Sequence, residues 1–232
     1  MTTALVLSAG GLWAAWEVGA WRALREWLRP DWIVGASAGA WNGLAIAGGA
    51  TPDELAREWL DPGMAGVMGP RRPQRMYEKA QELCRRYPPR APFALTIVEV
   101  PSLRSRVVRG NEITWRHLAA TGAIPCMFPA VEIDGRRYVD GGLRAGLPLW
   151  AAEELGATRA IALNVLNTPG FRLLHHVMMG KRPGAALDVV RIEPSERLGS
   201  LYDAVVWDEK NIASWIALGE RDALRAMSSG RI

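Results

Sequence analysis

The residues whose types and spacing could perform chemistry are a serine set between glycines, Gly35-Ala36-Ser37-Ala38-Gly39, an aspartate before glycines, Asp140-Gly141-Gly142, and a second glycine pair, Gly10-Gly11. Small neighbours let a serine occupy a tight strand-to-helix turn with its hydroxyl projecting, so Ser37 reads as a nucleophile with Gly35 and Gly39 as its supports. An activated serine needs a base and donors for the oxyanion that forms when it attacks an acyl carbonyl. The N–H groups of Gly10, Gly11 and Leu12, on a glycine turn at a helix start, and that of Ala38 next to the serine are the candidate donors. Asp140 is the candidate base, on a loop that Gly141 and Gly142 leave unobstructed, and together with Ser37 it forms a Ser-Asp dyad.

Histidine is the usual base, and this chain carries His117, His175 and His176. His117 falls on an amphipathic stretch and reads as a packing or surface residue. His175 or His176 after Ser37 and Asp140 would reproduce the Ser, Asp, His order of the α/β-hydrolases, the alternative mechanism. That elbow normally follows several strands, whereas a single strand-helix unit precedes Ser37 here.

The elements that must position these residues follow from periodicity. Thr3 to Ser8 is nearly all apolar, as a parallel strand covered on both faces should be. Trp13 to Leu28 carries apolar residues at helical spacing (Trp13, Trp16, Ala20, Leu24, Trp27), and Trp32 to Val34 is the next strand, closing a βαβ unit. Both glycine turns then lie at the carboxyl edge of one sheet, where open α/β sheets place their ligand sites. Ala40 to Gly48 is helical, and Thr51-Pro52-Asp53-Glu54 is a capped start for a helix to Leu60. Asp61 to Pro73 reads as a mobile loop, Arg75 to Arg86 as a basic amphipathic helix, and Phe93 to Val100 with Arg104 to Val108 as an edge hairpin. Thr114 to Thr121 is helical and Gly122 to Pro129 is not. Asp134-Gly135 joins Val131–Ile133 to Arg137–Val139 in a hairpin that delivers Asp140. Pro148 to Leu155 is a helix, Ala160 to Leu166 and Ala185 to Ile192 are strands, and Tyr202 to Met227 is a long helix or helix pair with Trp207 and Trp215 inward.

A chain of 232 residues, 49% hydrophobic, supports one substantial core, hence a single domain over 1–232 with its core at about 4–227. The net charge is +4, the basic residues are almost all arginine, and no aromatic-interleaved motif accompanies them, so nucleic acid is not an expected partner. Cys84 and Cys126 are isolated, which indicates neither a disulfide framework nor a zinc site and fits a reducing, cytoplasmic setting. Met1 to Leu28 lacks a basic n-region and reads as folded structure, and no apolar run is long enough for a transmembrane helix. Among the 11 tryptophans, Trp13 and Trp41 lie close enough in sequence to the glycine turns to line an acyl pocket. Phe171 to Met179, between Pro169-Gly170 and Gly180-Lys181-Arg182, is either a lid or interfacial helix or an ordinary packed helix.

Taken in order, Ser8-Ala9-Gly10-Gly11, Gly35-Ala36-Ser37-Ala38-Gly39, Ala123-Ile124-Pro125-Cys126-Met127-Phe128-Pro129 and Asp140-Gly141-Gly142 resemble the patatin-like phospholipases, and the likeness runs from about Ala4 to about Met227. The resemblance implies a three-layer α/β/α fold with a mostly parallel central sheet. It also implies a Ser37-Asp140 dyad, an oxyanion hole around Gly10 to Leu12, and hydrolysis of lipid acyl esters without a metal or other cofactor. The partners it implies are a lipid or ester substrate and peripheral contact with a membrane surface. The family's loop carries glycine, a basic residue and glycine where this chain has Ala9, Trp13 and Ala14. The absent basic side chain removes a possible phosphate contact. A non-catalytic lipid-binding module is the reading from a different class.

Overall fold

The structure, a computed structural model, describes residues 1–69, 73–167 and 187–230. Its strands are β1 (Thr3–Leu7), β2 (Trp32–Ala36), β3 (Phe93–Val100), β4 (Arg104–Arg109), β5 (Val131–Ile133), β6 (Arg136–Asp140), β7 (Arg159–Leu163) and β8 (Asp188–Ile192). The helices are α1 (Ala15–Leu24), α2 (Ala38–Ala47), α3 (Pro52–Leu60), α4 (Met64–Val67), α5 (Pro73–Arg86), α6 (Trp115–Thr121), α7 (Leu149–Glu154) and α8 (Glu209–Ser228). The strands form one sheet in the order β5-β6-β3-β2-β1-β7-β8, with β4 on the free edge of β3. From β3 through β2, β1 and β7 to β8 the pairing is parallel.

Successive residues of a strand face opposite sides of a sheet, and β1 shows the consequence. Leu5 and Leu7 belong to the large core with α1, α2 and α8, while Ala4 and Val6 belong to a smaller core with Leu149 and Trp150 of α7. Two cores on either side of a mostly parallel sheet make the three-layer α/β/α architecture. Thr51 closes the reciprocal capping box at the start of α3. Asp134 and Gly135 both take positive φ, 50° and 73°, the conformation an Asp-Gly hairpin turn demands.

Several boundaries differ from those that periodicity predicts. Helix α1 stops at Leu24 and a turn over 25–27 follows, so Trp27 leaves the helix face and is 78% exposed instead of inward. The stretch 61–73 contains the short helix α4. Strand β7 ends at Leu163, where the Asn164 side chain turns back to accept from Leu166 N–H. The last helix begins only at Glu209, capped by Asp208, and Tyr202 lies before it, exposed. Trp215 is buried, and Trp207 donates its indole N–H to the Trp59 carbonyl. His175, His176, the stretch 171–179 and the start of the strand expected at 185 lie outside the described residues.

The arrangement that matters most for the site is how β3 is shared. Strand β4 pairs with Ala94 to Glu99 on one edge of β3. The opposite edge is divided: β2 runs parallel along Phe93 to Thr96, and β6 runs antiparallel along Ile97 to Val100. Their carboxyl ends therefore meet head-on, with Ala36 opposite Thr96 and Asp140 opposite Ile97. The residue after Ala36 is Ser37.

Candidate active site

Ser37 forms the corner between β2 and α2 and holds φ 53°, ψ −130°, a backbone region that a side chain populates only under constraint. The constraint is local packing. A Cβ on Gly35 would stand 2.5 Å from the Ala40 Cα, and one on Gly39 would stand 2.4 Å from the Ser8 carbonyl oxygen. Glycine at these positions lets α2 turn tightly out of β2 and press against the end of β1, so the serine turn and the Ser8-Gly11 turn are in direct contact.

The head-on meeting of β2 and β6 brings the Ser37 hydroxyl to Asp140, donating to Oδ2 at 2.6 Å, a length expected of a hydroxyl bonded to a carboxylate. The other carboxylate oxygen, Oδ1, accepts the Gly142 N–H at 2.6 Å, which orients the group. Both side chains are buried. Burial pushes the Asp140 carboxyl up to about 7, against the opposing pull of its bonds from Ser37 and Gly142. Gly141 sits against the Thr96 backbone, which holds the Asp140 turn on β3. A carboxylate in this geometry can take the Ser37 proton directly.

Thr121, at the end of α6, was not indicated by any motif. Its hydroxyl accepts the Ser37 N–H at 2.9 Å and donates to the Thr96 carbonyl at 2.8 Å, tying the turn to β3. Thr121→Val keeps the shape but leaves the Ser37 amide buried without a partner. We expect it to cost about 1–3 kcal/mol of stability by urea unfolding.

The candidate oxyanion donors separate. Gly11 and Ala38 line the same cavity as Ser37, and neither N–H has an acceptor among the described residues. Leu12 lines that cavity too, but its N–H donates to the Ala204 carbonyl at 2.8 Å and is not free for an oxyanion. Gly10 packs against Val165, at the back of the loop.

A buried polar cluster supports both turns from below. Glu17 on α1 accepts from Ser8 N–H and Oγ through one oxygen and from Asn42 through the other, and Asn42 in turn accepts the Trp59 indole N–H. Burial raises the Glu17 carboxyl to about 8, partly offset by the bonds from Asn42 and Ser8. His117 is the N3 partner of the Thr114 capping box, as a packing role requires, and burial lowers its pKa.

Above Ser37 opens a cavity of about 420 Å³, open mouth included, whose apolar wall is formed by Trp41, Trp59, Met64, Val67, Met68 and Met76. Trp41 lies where its sequence proximity to Ser37 suggested. Trp13 does not: it is 1% exposed, inside the large core, because its helical turn points it away from the cavity. The wall residues from α3, α4 and α5 escaped sequence reasoning, since nothing in their spacing ties them to the serine. Among the described residues no group of His, Cys, Asp and Glu side chains is placed to hold a metal ion.

The family described as Patatin-like phospholipase matches residues 5–94 and 103–153 of the chain. No curated protein matches. Among solved structures, VipD from Legionella pneumophila is similar with a TM-score of 0.52 at 10% identity, over 98% of this chain and 67% of that one. The type III effector protein ExoU superposes with a TM-score of 0.49 at 12% identity, over 100% of this chain and 54% of that one. The likeness to VipD is one of fold.

Proposed function

The chain belongs to the patatin-like phospholipase family, and from that premise we propose that it is a serine acyl hydrolase acting on lipid acyl esters, with residues 1–232 working as one domain. The observation that carries this reading is the direct 2.6 Å bond between Ser37 Oγ and Asp140 Oδ2 at the floor of an apolar cavity. Asp140 accepts the hydroxyl proton as Oγ attacks the acyl carbonyl. The N–H groups of Gly11 and Ala38 receive the oxyanion, and the positive end of α2 stabilises the developing charge. Collapse expels the alcohol, which takes its proton from Asp140 and leaves an acyl group on Ser37. Water, deprotonated by Asp140, then releases the acid. In a Ser-His-Asp triad an imidazole separates the carboxylate from the serine. The direct contact of Asp140 with Ser37 favours the dyad.

Peripheral contact with a lipid surface belongs to the same reading. Leu201, Tyr202 and Val206 are exposed, and they flank Ala204, whose carbonyl abuts the Gly11 loop. No helix among the described residues is long and apolar enough to cross a membrane.

A fluorophosphonate tests the assignment. It should label the protein covalently, with the modified peptide containing Ser37. A folded protein that never labels would leave the non-catalytic lipid-binding module as the better description. The pH dependence is a second measure. Asp140 must be ionised to act as a base, and burial raises its pKa to about 7. Activity is therefore lost as pH falls through that value. The kcat/KM for a neutral ester should rise with pH, reach half its plateau near pH 7 and show no midpoint near pH 4.

A further inference from the structure

We propose that Met64 is a movable partition that sets the acyl-chain length this site accepts, and that a second cavity behind it receives the end of longer chains. The proposal rests on the acyl-hydrolase reading above. The second cavity has about 290 Å³ of empty space, open mouth included, and shares Trp41, Trp59 and Met64 with the cavity over Ser37. Beyond that shared wall it is lined by Ala45, Leu55 and Leu83, surfaces suited to methylene groups.

Charged groups line this cavity as well, Glu58 and Lys79. Glu58 holds Lys79 Nζ at 2.6 Å and Arg86 Nη1 at 2.5 Å. An alkyl chain cannot replace those hydrogen bonds, so the paired ions mark where it must end. The route from Ser37 thus runs past an apolar wall into a cavity where apolar side chains stand beside Asn42 and the Glu58–Lys79 ion pair.

Of the three residues in the shared wall, two are pinned. The Trp41 indole N–H donates to the Leu118 carbonyl at 2.9 Å, and that of Trp59 donates to Asn42 Oδ1 at 2.8 Å. Met64 has no polar anchor. It sits on the four-residue helix α4, and its thioether side chain has several rotatable bonds and repacks at small cost. The wall can open only where Met64 stands.

The test compares chain-length profiles. Labelling rates with alkyl fluorophosphonates of increasing chain length, and kcat/KM for p-nitrophenyl esters from butyrate to palmitate, are measured on the full chain. Each methylene that finds apolar wall adds about 0.8 kcal/mol, so both series should climb by about fourfold per methylene and then break where the chain meets the partition. Met64→Ala should move the break to longer chains and Met64→Trp to shorter ones. Ala45→Leu, which fills the second cavity, should reverse the gain of Met64→Ala. Circular dichroism checks that each variant is folded, and should Met64→Ala fail to fold, Met64→Trp and Ala45→Leu carry the test. Breaks at the same chain length in wild type and in every folded variant overturn the partition while leaving the acyl hydrolase standing. Absence of labelling in the wild type at any chain length overturns both.

Discussion

Ser37→Ala is expected to reduce ester hydrolysis by at least about 10⁴-fold and to end fluorophosphonate labelling, with the protein still folded. The alanine keeps the Cβ and therefore the backbone strain at φ 53°, so the turn between β2 and α2 is retained. What disappears is the oxygen 2.6 Å from Asp140 Oδ2. Asp140→Asn removes the base while keeping the side-chain shape, and a loss of about 10²–10⁴-fold in kcat is expected for loss of a general base. Its amide can still accept the Gly142 N–H, so the β6 terminus should hold. His175→Ala and His176→Ala are expected to remain active. Full activity in Asp140→Asn together with loss in either histidine variant would replace the dyad with the triad.

Gly19→Ala should lower stability by at least about 3 kcal/mol, read as a shift of the urea midpoint at constant slope. An added Cβ at Gly19 of α1 would stand 1.8 Å from the Ile216 carbonyl oxygen of α8, and one at Gly219 would stand 1.9 Å from the Trp16 carbonyl oxygen. The backbones of α1 and α8 touch through this pair of glycines. The crossing is locked nearby by the Trp16 indole N–H, which donates to the buried Asp222 at 3.0 Å. Alanine is the better helix former by about 1 kcal/mol, and that gain is too small to offset forced separation of two packed helices. Gly66→Ala on α4 is the control, since its Cβ would meet nothing nearer than 3.6 Å. Equal stability of the two variants would show that the helices do not approach this closely. Because α1 also carries Glu17 beneath the Ser8 turn, Gly19→Ala should lower activity as well.

Local sequence determined what local physics controls. Gly35 and Gly39 around Ser37 permit a tight corner, and the apolar strand before them and the small-residue helix after them place it there. Asp134-Gly135 specifies a hairpin, and its second strand must end at Asp140. The apolar run Thr3 to Leu7 specifies a strand covered on both faces. Each of these depends on residues within about ten positions of one another, which is the range over which periodicity and turn chemistry act. Two expectations failed: the helix expected to bury Trp27 ends at Leu24, and Trp13, close to the glycine turn in sequence, packs into the core.

Tertiary structure decided the rest. That Asp140 meets Ser37, 103 positions away, depends on β2 and β6 sharing one edge of β3 from opposite ends, a pairing that neither strand's composition encodes. The occupation of Leu12 N–H by Ala204, the anchoring of Ser37 by Thr121, and a cavity walled by residues from α3, α4 and α5 are likewise contacts between segments distant in the chain. The sequence by itself determined which residues could react. Packing between distant segments decided which of them meet, because the enthalpy of those contacts and the burial that shifts Asp140 toward neutrality exist only once the sheet is assembled.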